Sequence, residues 1–311
     1  MVRSTILIVV ARHEHKPHKR IAARSATILL WGSLGDSYEF ENIMKIYGID
    51  FTSAPSKNKV IACVEARLEA DVLSIQKFYR FIDFPSFMDF LTRSPVWIAG
   101  VDFPLGQPRK LIENLQWGKT WAEYVERVGQ MSKQEFVETL NQYRQDRPVG
   151  DREHLRQTDK FAGAISPMKV YGVPVGKMFF EGAPRMLAAG FSILPCHPTN
   201  DPRSVIEIYP ALISKNIIGK LSYKSDDKRK QTSEMQFLRQ EIINQVRSPI
   251  CKSKYGFVVE IDQQVTCECV SDASGDTLDA VLAAIQAASA SQQPNYGIPE
   301  NCDHLEGWIC A

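Results

Sequence analysis

The chain has 311 residues, of which 44% are hydrophobic and 23% charged, with 37 Lys and Arg against 36 Asp and Glu. That mixture supports a packed globular core and excludes a disordered, collagenous or coiled-coil protein. A formal charge of +1 excludes a global polycation, so any grip on a polyanion must come from local patches.

Residues 1–43 carry His13, His15 and His18, mixed charge and no clear period, and Met44 directly precedes the first clean strand pattern. We therefore expect an N-terminal extension, non-core or a misassigned start, over 1–43, and the functional domain over 44–311. Strand patterns follow at 45–52, 60–68 and 72–81. Pro85 and Ser86 open a short helix through Thr92, with Ser86 as its expected cap. A strand at 96–103 comes next, and then a long stretch, 107–203, with helical patterns at 117–143 and 177–189 around a charged loop at 146–160. Trp117, Trp121 and Tyr124 recur there at helical spacing and read as packing residues. A fifth strand is expected at 205–209, a basic and largely helical segment at 215–254, a hairpin at 257–261 and 265–270, and a helix at 278–290. The pattern predicts an α/β fold, a mixed five-stranded sheet flanked by helices with a large, mainly helical insertion after the fourth strand.

The apolar run from Ile6 to Ala11 is too short for a signal-peptide core, and no run approaches the roughly 20 residues of a membrane span. This predicts a soluble, cytoplasmic protein without a membrane partner. The seven Cys include no C-x-x-C pair, which points to reduced thiols. Cys267 and Cys269 suit one face of a strand, and Cys251, Cys302 and Cys310 stay open as a zinc set. Residues 215–254 contain ten Lys or Arg and four acids, whereas nine acids and no Lys or Arg follow Lys254. Two solvated surfaces account for this split; so does a phosphate-binding segment beside a metal-binding one.

The carboxylates are more specific. Gly48-Ile49-Asp50-Phe51 and Gly100-Val101-Asp102-Phe103 echo each other at the ends of two apolar strands. Side chains two apart share a strand face, so each glycine is expected to leave open space beside its carboxylate. One such Asp caps a turn; two matched copies in one sheet point to a shared site. In the helix at 278–290, Leu278, Val281, Leu282 and Ile285 form an apolar stripe and alanines cover the rest, so Asp279 is a lone charge on a buried helix. Asp276 lies one turn earlier, where an N-cap role is expected. Glu207 alternates with Ile206 and Ile208, on a solvated face or in the site, and Asp89 is expected to face water. Clustered carboxylates with few His suit Mg²⁺ or Mn²⁺.

These residues resemble the ribonuclease H-like nuclease superfamily, nearest its Holliday-junction-resolvase branch. Adding Thr52-Ser53-Ala54-Pro55, Pro104, Glu207-Ile208-Tyr209-Pro210, Tyr223-Lys224-Ser225, Asp276-x-x-Asp279-Ala280 and Glu306-Gly307-Trp308-Ile309, residues 44–311 look like the family known as domain of unknown function 429, described as predicted nucleases. The resemblance implies a ribonuclease H-like fold and a Mg²⁺- or Mn²⁺-dependent hydrolase acting on phosphodiester bonds of a nucleic acid or nucleotide. It implies Asp50, Asp102 and Asp279 as catalytic metal ligands with Asp276 assisting, and Glu207 as a lower-ranked catalytic candidate. Arg156, Lys224 and Arg185 would grip phosphate, and Lys177 is a weaker candidate. The alternatives are an ATP-dependent phosphotransferase of the actin-like and sugar-kinase class, disfavoured because no Gly follows Asp50 in Phe51-Thr52-Ser53-Ala54-Pro55, and a non-catalytic nucleic-acid-binding protein.

Overall fold

The computed structural model describes residues 43 to 310, so the expected extension lies outside the described residues except for Ile43. Strand β1 (Met44–Asp50) is buried from Ile46 onward, as a nearly continuous apolar run at the centre of a covered sheet must be. It pairs antiparallel with β2 (Ile61–Glu69), which turns at Ala70 and Asp71 into β3 (Val72–Phe81). On its other side β1 pairs in parallel with β4 (Trp97–Val101). Beyond β4 come β6 (Arg203–Glu207) and β5 (Ser192–Leu194), and β7 (Val258–Ile261) lies beside β3.

The α/β class and the mixed sheet are as expected, but the sheet has seven strands in the order β5-β6-β4-β1-β2-β3-β7, not five. The added strands are the two edges: β5, of 3 residues, is too short to establish a period, whereas β7 matches the strand pattern at 257–261 and joins the sheet beside β3. The hairpin expected at 257–270 is a second correction. Only β7 is a strand; residues Gln263–Ser271 form a helix, α10 in chain order. Asp262 caps it by accepting from the Gln264 N–H at 2.7 Å, and Val265 and Cys269, four apart, turn inward. Alternation at Val265, Cys267 and Cys269 imitated a strand; in the helix Cys267 is exposed while Cys269 is buried.

Helix α1 (Phe84–Arg93) is capped by Asp83, not Ser86: the Asp83 carboxylate accepts from the Ser86 N–H at 2.8 Å. The insertion supplies α2 (Arg109–Asn114), α3 (Trp121–Gly129), α4 (Lys133–Gln145), α5 (Gln157–Ala162) and α6 (Val175–Ala188). The single helical pattern at 117–143 divides because Ser132 starts α4 with a capping box to Glu135. Trp117, Trp121 and Tyr124 are buried between insertion and sheet, in the packing role expected. The remaining helices are α7 (Ala211–Ile218), α8 (Ser233–Val246), α9 (Pro249–Tyr255) and α11 (Asp276–Ser291). Among the described residues no helix is long and apolar enough to cross a membrane.

The two faces of the sheet bury two separate cores. Ile46, Val64, Ile98 and Ile206 join α8 and α11 on one face, while Tyr47, Ile49, Ala99, Val101 and Val205 join α1 and the insertion on the other. All of α11 except Ser291 is buried. Gly48 and Gly100, paired in register, share the face that meets it. A Cβ at position 48 would lie 2.0 Å from the Ala280 carbonyl oxygen and 2.3 Å from the Ala284 nitrogen; one at position 100 would lie 2.8 Å from the Ala287 Cβ. The space expected beside the carboxylates is therefore filled by helix backbone, and glycine is required for the helix to come that close.

This contact predicts a steep penalty at one position. Gly48→Ala should destabilise the protein by about 3 kcal/mol or more, the upper range for overpacking. Gly190→Ala, at φ +74° with nothing near its Cβ, should cost only about 1 kcal/mol. Urea unfolding of both variants checks this, and equal stabilities would show that α11 does not press on β1.

Candidate active site

Because β1 and β4 are parallel with Gly48 opposite Gly100, Asp50 and Asp102 emerge side by side at the same end of the sheet. The Asp102 N–H donates to the Ile49 carbonyl at 3.0 Å, which fixes the second carboxylate against the end of β1. Helix α11 brings the third. Its first turn, which carries Asp276 and Asp279, lies over the same strand ends, where the partial positive charge of a helix N-terminus favours carboxylates. Gly275, at φ +77°, precedes the helix, so Asp276 is its first residue rather than its cap. The start of α11 is held instead by Asp272, which accepts from the Ser274 and Thr277 amides and hydroxyls at 2.6–3.1 Å. Burial works against that carboxylate, yet these four bonds keep it below the usual range.

Two lysines and a tyrosine hold the acids. Lys224 Nζ and the Tyr223 hydroxyl each donate to one oxygen of Asp279. Lys59 Nζ donates to Asp276 at 2.7 Å and to Asp226 at 2.8 Å. Residues 223–225 are pinned in turn: buried Arg239 donates to the Tyr223 carbonyl at 2.8 Å and to the Val270 carbonyl at 3.0 Å, and the Ser225 N–H donates to the Ala273 carbonyl at 3.1 Å. The Asp50 and Asp102 carboxylates, by contrast, receive no hydrogen bond from a described residue, and both open onto a cleft of about 1220 Å³.

The electrostatics follow from crowding. Burial, with Asp279 adding like charge and Lys224 opposing, pushes Asp102 up to about 7. Asp50 is raised well above the ordinary carboxylate value by burial and by Asp279, Asp276 and Asp102, against the relief from Lys224. Asp276 is raised by burial despite Lys59. Burial disfavours the Lys224 ammonium, but Asp279 outweighs it and holds the lysine charged. Asp226 also draws on Lys59, so the carboxylates outnumber the two ammonium groups when all are ionised. Among the described residues no three His, Cys, Asp or Glu side chains form a ready metal-binding group; Asp276 and Asp279 are engaged by ammonium groups instead.

The other expected site residues do not join these acids, although Glu207 and Arg156 border the same cleft. Glu207 projects from the opposite face of the sheet, toward the insertion, and is neither solvated nor beside Asp50. It accepts from Arg156 at 2.5 and 2.7 Å and from the Leu105 N–H at 2.9 Å. Arg156 is only 1% exposed, and its remaining N–H groups bind Asp159 and the Glu306 carbonyl, so no donor is left for phosphate. Arg185 stacks over Phe84 at 4.0 Å and pairs with Glu181 at 2.7 Å, outside the cleft lining, as is Lys177. Of the basic candidates only Lys224 reaches the acids. Asp89 is exposed as expected, paired with Arg93.

Sequence reasoning missed Lys59, Arg239 and Asp272. Lys59 and Arg239 meet the site only through tertiary contacts. Asp272 carried a local signal, since Asp272-x-Ser274-x-x-Thr277 is a turn-and-cap pattern. Comparison of the chain with family models, curated proteins and solved structures gives no match.

Two outcomes follow. Asp102 binds its proton more tightly folded, near pH 7, than unfolded, near 3.9. The folded state thus holds the extra proton, and stability falls as pH rises from about 4 to about 7. Asp102→Asn should match the parent near pH 4 and exceed it near pH 8, by on the order of 2–4 kcal/mol, in urea melts with chelator. A pH-independent difference would contradict the raised value. Secondly, Arg156→Ala leaves buried Glu207 and Asp159 unpaired and should destabilise by about 3–5 kcal/mol, whereas Arg185→Ala should cost under about 1 kcal/mol.

Proposed function

We propose that this protein is a divalent-metal-dependent phosphodiester hydrolase, a nuclease acting through Asp50, Asp102 and Asp279. The observation that carries the reading is the pair of carboxylates at buried Asp50 and half-buried Asp102, which receive no hydrogen bond from a described residue and lie beside Asp279 at the floor of a cleft where acids outnumber ammonium groups. An all-oxygen donor set in which carboxylates outnumber the ammonium groups suits a hard divalent cation. Asp50, Asp102 and Asp279 would hold Mg²⁺ or Mn²⁺, with Asp276 assisting. Such an ion supplies charge stabilisation to a phosphate and a nucleophilic water at neutral pH.

The order of acids along the chain also supports the ribonuclease H-like assignment: one ends the first strand, one follows the fourth, and one lies on a late helix packed over both. The chain's own groups have distinct tasks. Tyr223 orients the Asp279 carboxylate, and Asp272 fixes the turn that presents it. Lys224, whose ammonium sits between Asp279 and the open cleft, donates to a phosphate oxygen when substrate is bound. Phe51, immediately after Asp50, is buried against Phe84, Phe87 and Phe103. The turn there is thus an aromatic plug, unlike the glycine turn a phosphotransferase uses to cradle ATP.

Calorimetric titration with Mn²⁺ and hydrolysis of a nucleic-acid panel test this together. Asp50→Asn should lower Mn²⁺ affinity by about 100-fold or more and abolish hydrolysis. A variant that binds Mn²⁺ and cleaves as the parent does would end this reading.

A further inference from the structure

The cleft is lined differently by the two segments that border it, and the difference bears on what it takes. Residues 219–231, between α7 and α8, together with the end of α7, bring Lys215, Lys220 and Lys228, all exposed, into the lining. Lys220 and Lys228 have no acidic partner among the described residues, and Lys215 lies over the Tyr209 ring at 5.0 Å. The insertion contributes apolar side chains instead. Ile165 is 39% and Val173 61% exposed, both in the lining; Leu221, 57% exposed, adds an apolar side chain from the α7–α8 segment. Apolar groups left wet along the mouth of a charged cleft mark a surface that meets a partly apolar ligand.

We propose that the substrate is an unpaired nucleic-acid strand, its phosphates on the lysines of the α7–α8 segment and its bases on Tyr209 and the apolar lining of the insertion; this rests on the phosphodiester reading. A strand presents both chemistries at once, phosphate charge and exposed base faces. A duplex hides its base faces in the stack, so it would use the lysines and leave Ile165 and Val173 wet. A single nucleotide has too few phosphates to use lysines spread from 215 to 228, and the cleft of about 1220 Å³ exceeds the roughly 300–1,000 Å³ of a small-molecule site.

The test separates binding from cleavage. The full-length Asp50→Asn/Asp102→Asn protein lacks two floor charges and the proposed chemistry, and its affinity is measured by fluorescence anisotropy in chelator. An oligothymidylate of about 20 nucleotides should bind at least about tenfold more tightly than a duplex of the same length, and thymidine monophosphate should not displace it at matched concentration. Adding Lys220→Ala and Lys228→Ala should weaken strand binding at least about fivefold and reduce the slope of log K against log salt by about 1.4. Adding Ile165→Ser and Val173→Ser, both at exposed positions, should weaken it at least about threefold with the slope unchanged. Absence of strand binding, a duplex bound equally or more tightly, displacement by the mononucleotide, or indifference to the serine changes would each overturn the proposal. Because no cleavage is involved, these results stand apart from the Asp50→Asn metal and hydrolysis test, whose failure would instead remove the catalytic reading.

Discussion

Helix α11 lies so close to β1 and β4 that only glycine fits beneath it, and the cleft end of the molecule depends on that contact. A Cβ at position 48 would fall 2.0 Å from the Ala280 carbonyl oxygen, well inside van der Waals contact. Alanines at 280, 283, 284 and 287 keep the helix side of the interface equally thin. The result is a helix whose first turn sits directly over two strand ends. Asp279 thereby joins Asp50 and Asp102 although 229 positions of sequence separate it from the first, counting 279 minus 50.

Bringing carboxylates together in a buried setting is unfavourable unless charge is supplied. Lys224 and Lys59 supply part of it, each on a side chain that reaches in from a neighbouring loop. Tyr223 and Asp272 contribute no charge balance but fix orientation, one by donating to Asp279 and the other by tying down the turn before it. What remains unbalanced is concentrated on Asp50 and Asp102, the acids singled out by raised proton affinity and by the absence of a hydrogen-bond donor among the described residues. Structure and electrostatics thus select the same pair.

The second buried charge cluster has a different purpose. Arg156 uses every guanidinium N–H on Asp159, Glu207 and the Glu306 carbonyl. Nearby, the Cys310 N–H donates to the Glu207 carbonyl at 2.8 Å and the Ile309 N–H to the Thr158 hydroxyl at 2.9 Å. The insertion, β6 and the C-terminal segment therefore meet at one ion pair. Such a group specifies an arrangement more than it adds stability. It holds the insertion side of the cleft, and through Leu105 the segment that follows Asp102.

Much of this was legible in the sequence because it is encoded locally. Strand β3 is read to the residue, β1, β2, β4 and β6 to within a few, and the burial of α11 follows from its apolar stripe of Leu278, Val281, Leu282 and Ile285 with alanines on the other faces. The echo of Gly48-x-Asp50 in Gly100-x-Asp102 marked two strand ends before any pairing was known. The three-residue edge strand β5, the place of β7 in the sheet and a helix at Val265 were not legible, since a period needs length, pairing is not local and alternation is ambiguous over six residues. Nor could the sequence say which face each charge would meet. Alternation placed Glu207 opposite Ile206 correctly, but only the packed insertion turned that face from solvated to buried and gave Arg156 to it. By itself the sequence determined the strands, the buried helix and the candidate acids, because periodicity and propensity act between near neighbours. The tertiary structure alone decided that the glycines admit a helix, that Lys59 and Lys224 meet Asp276 and Asp279, and that Arg156 is an internal clamp, because those contacts join residues that only folding brings together.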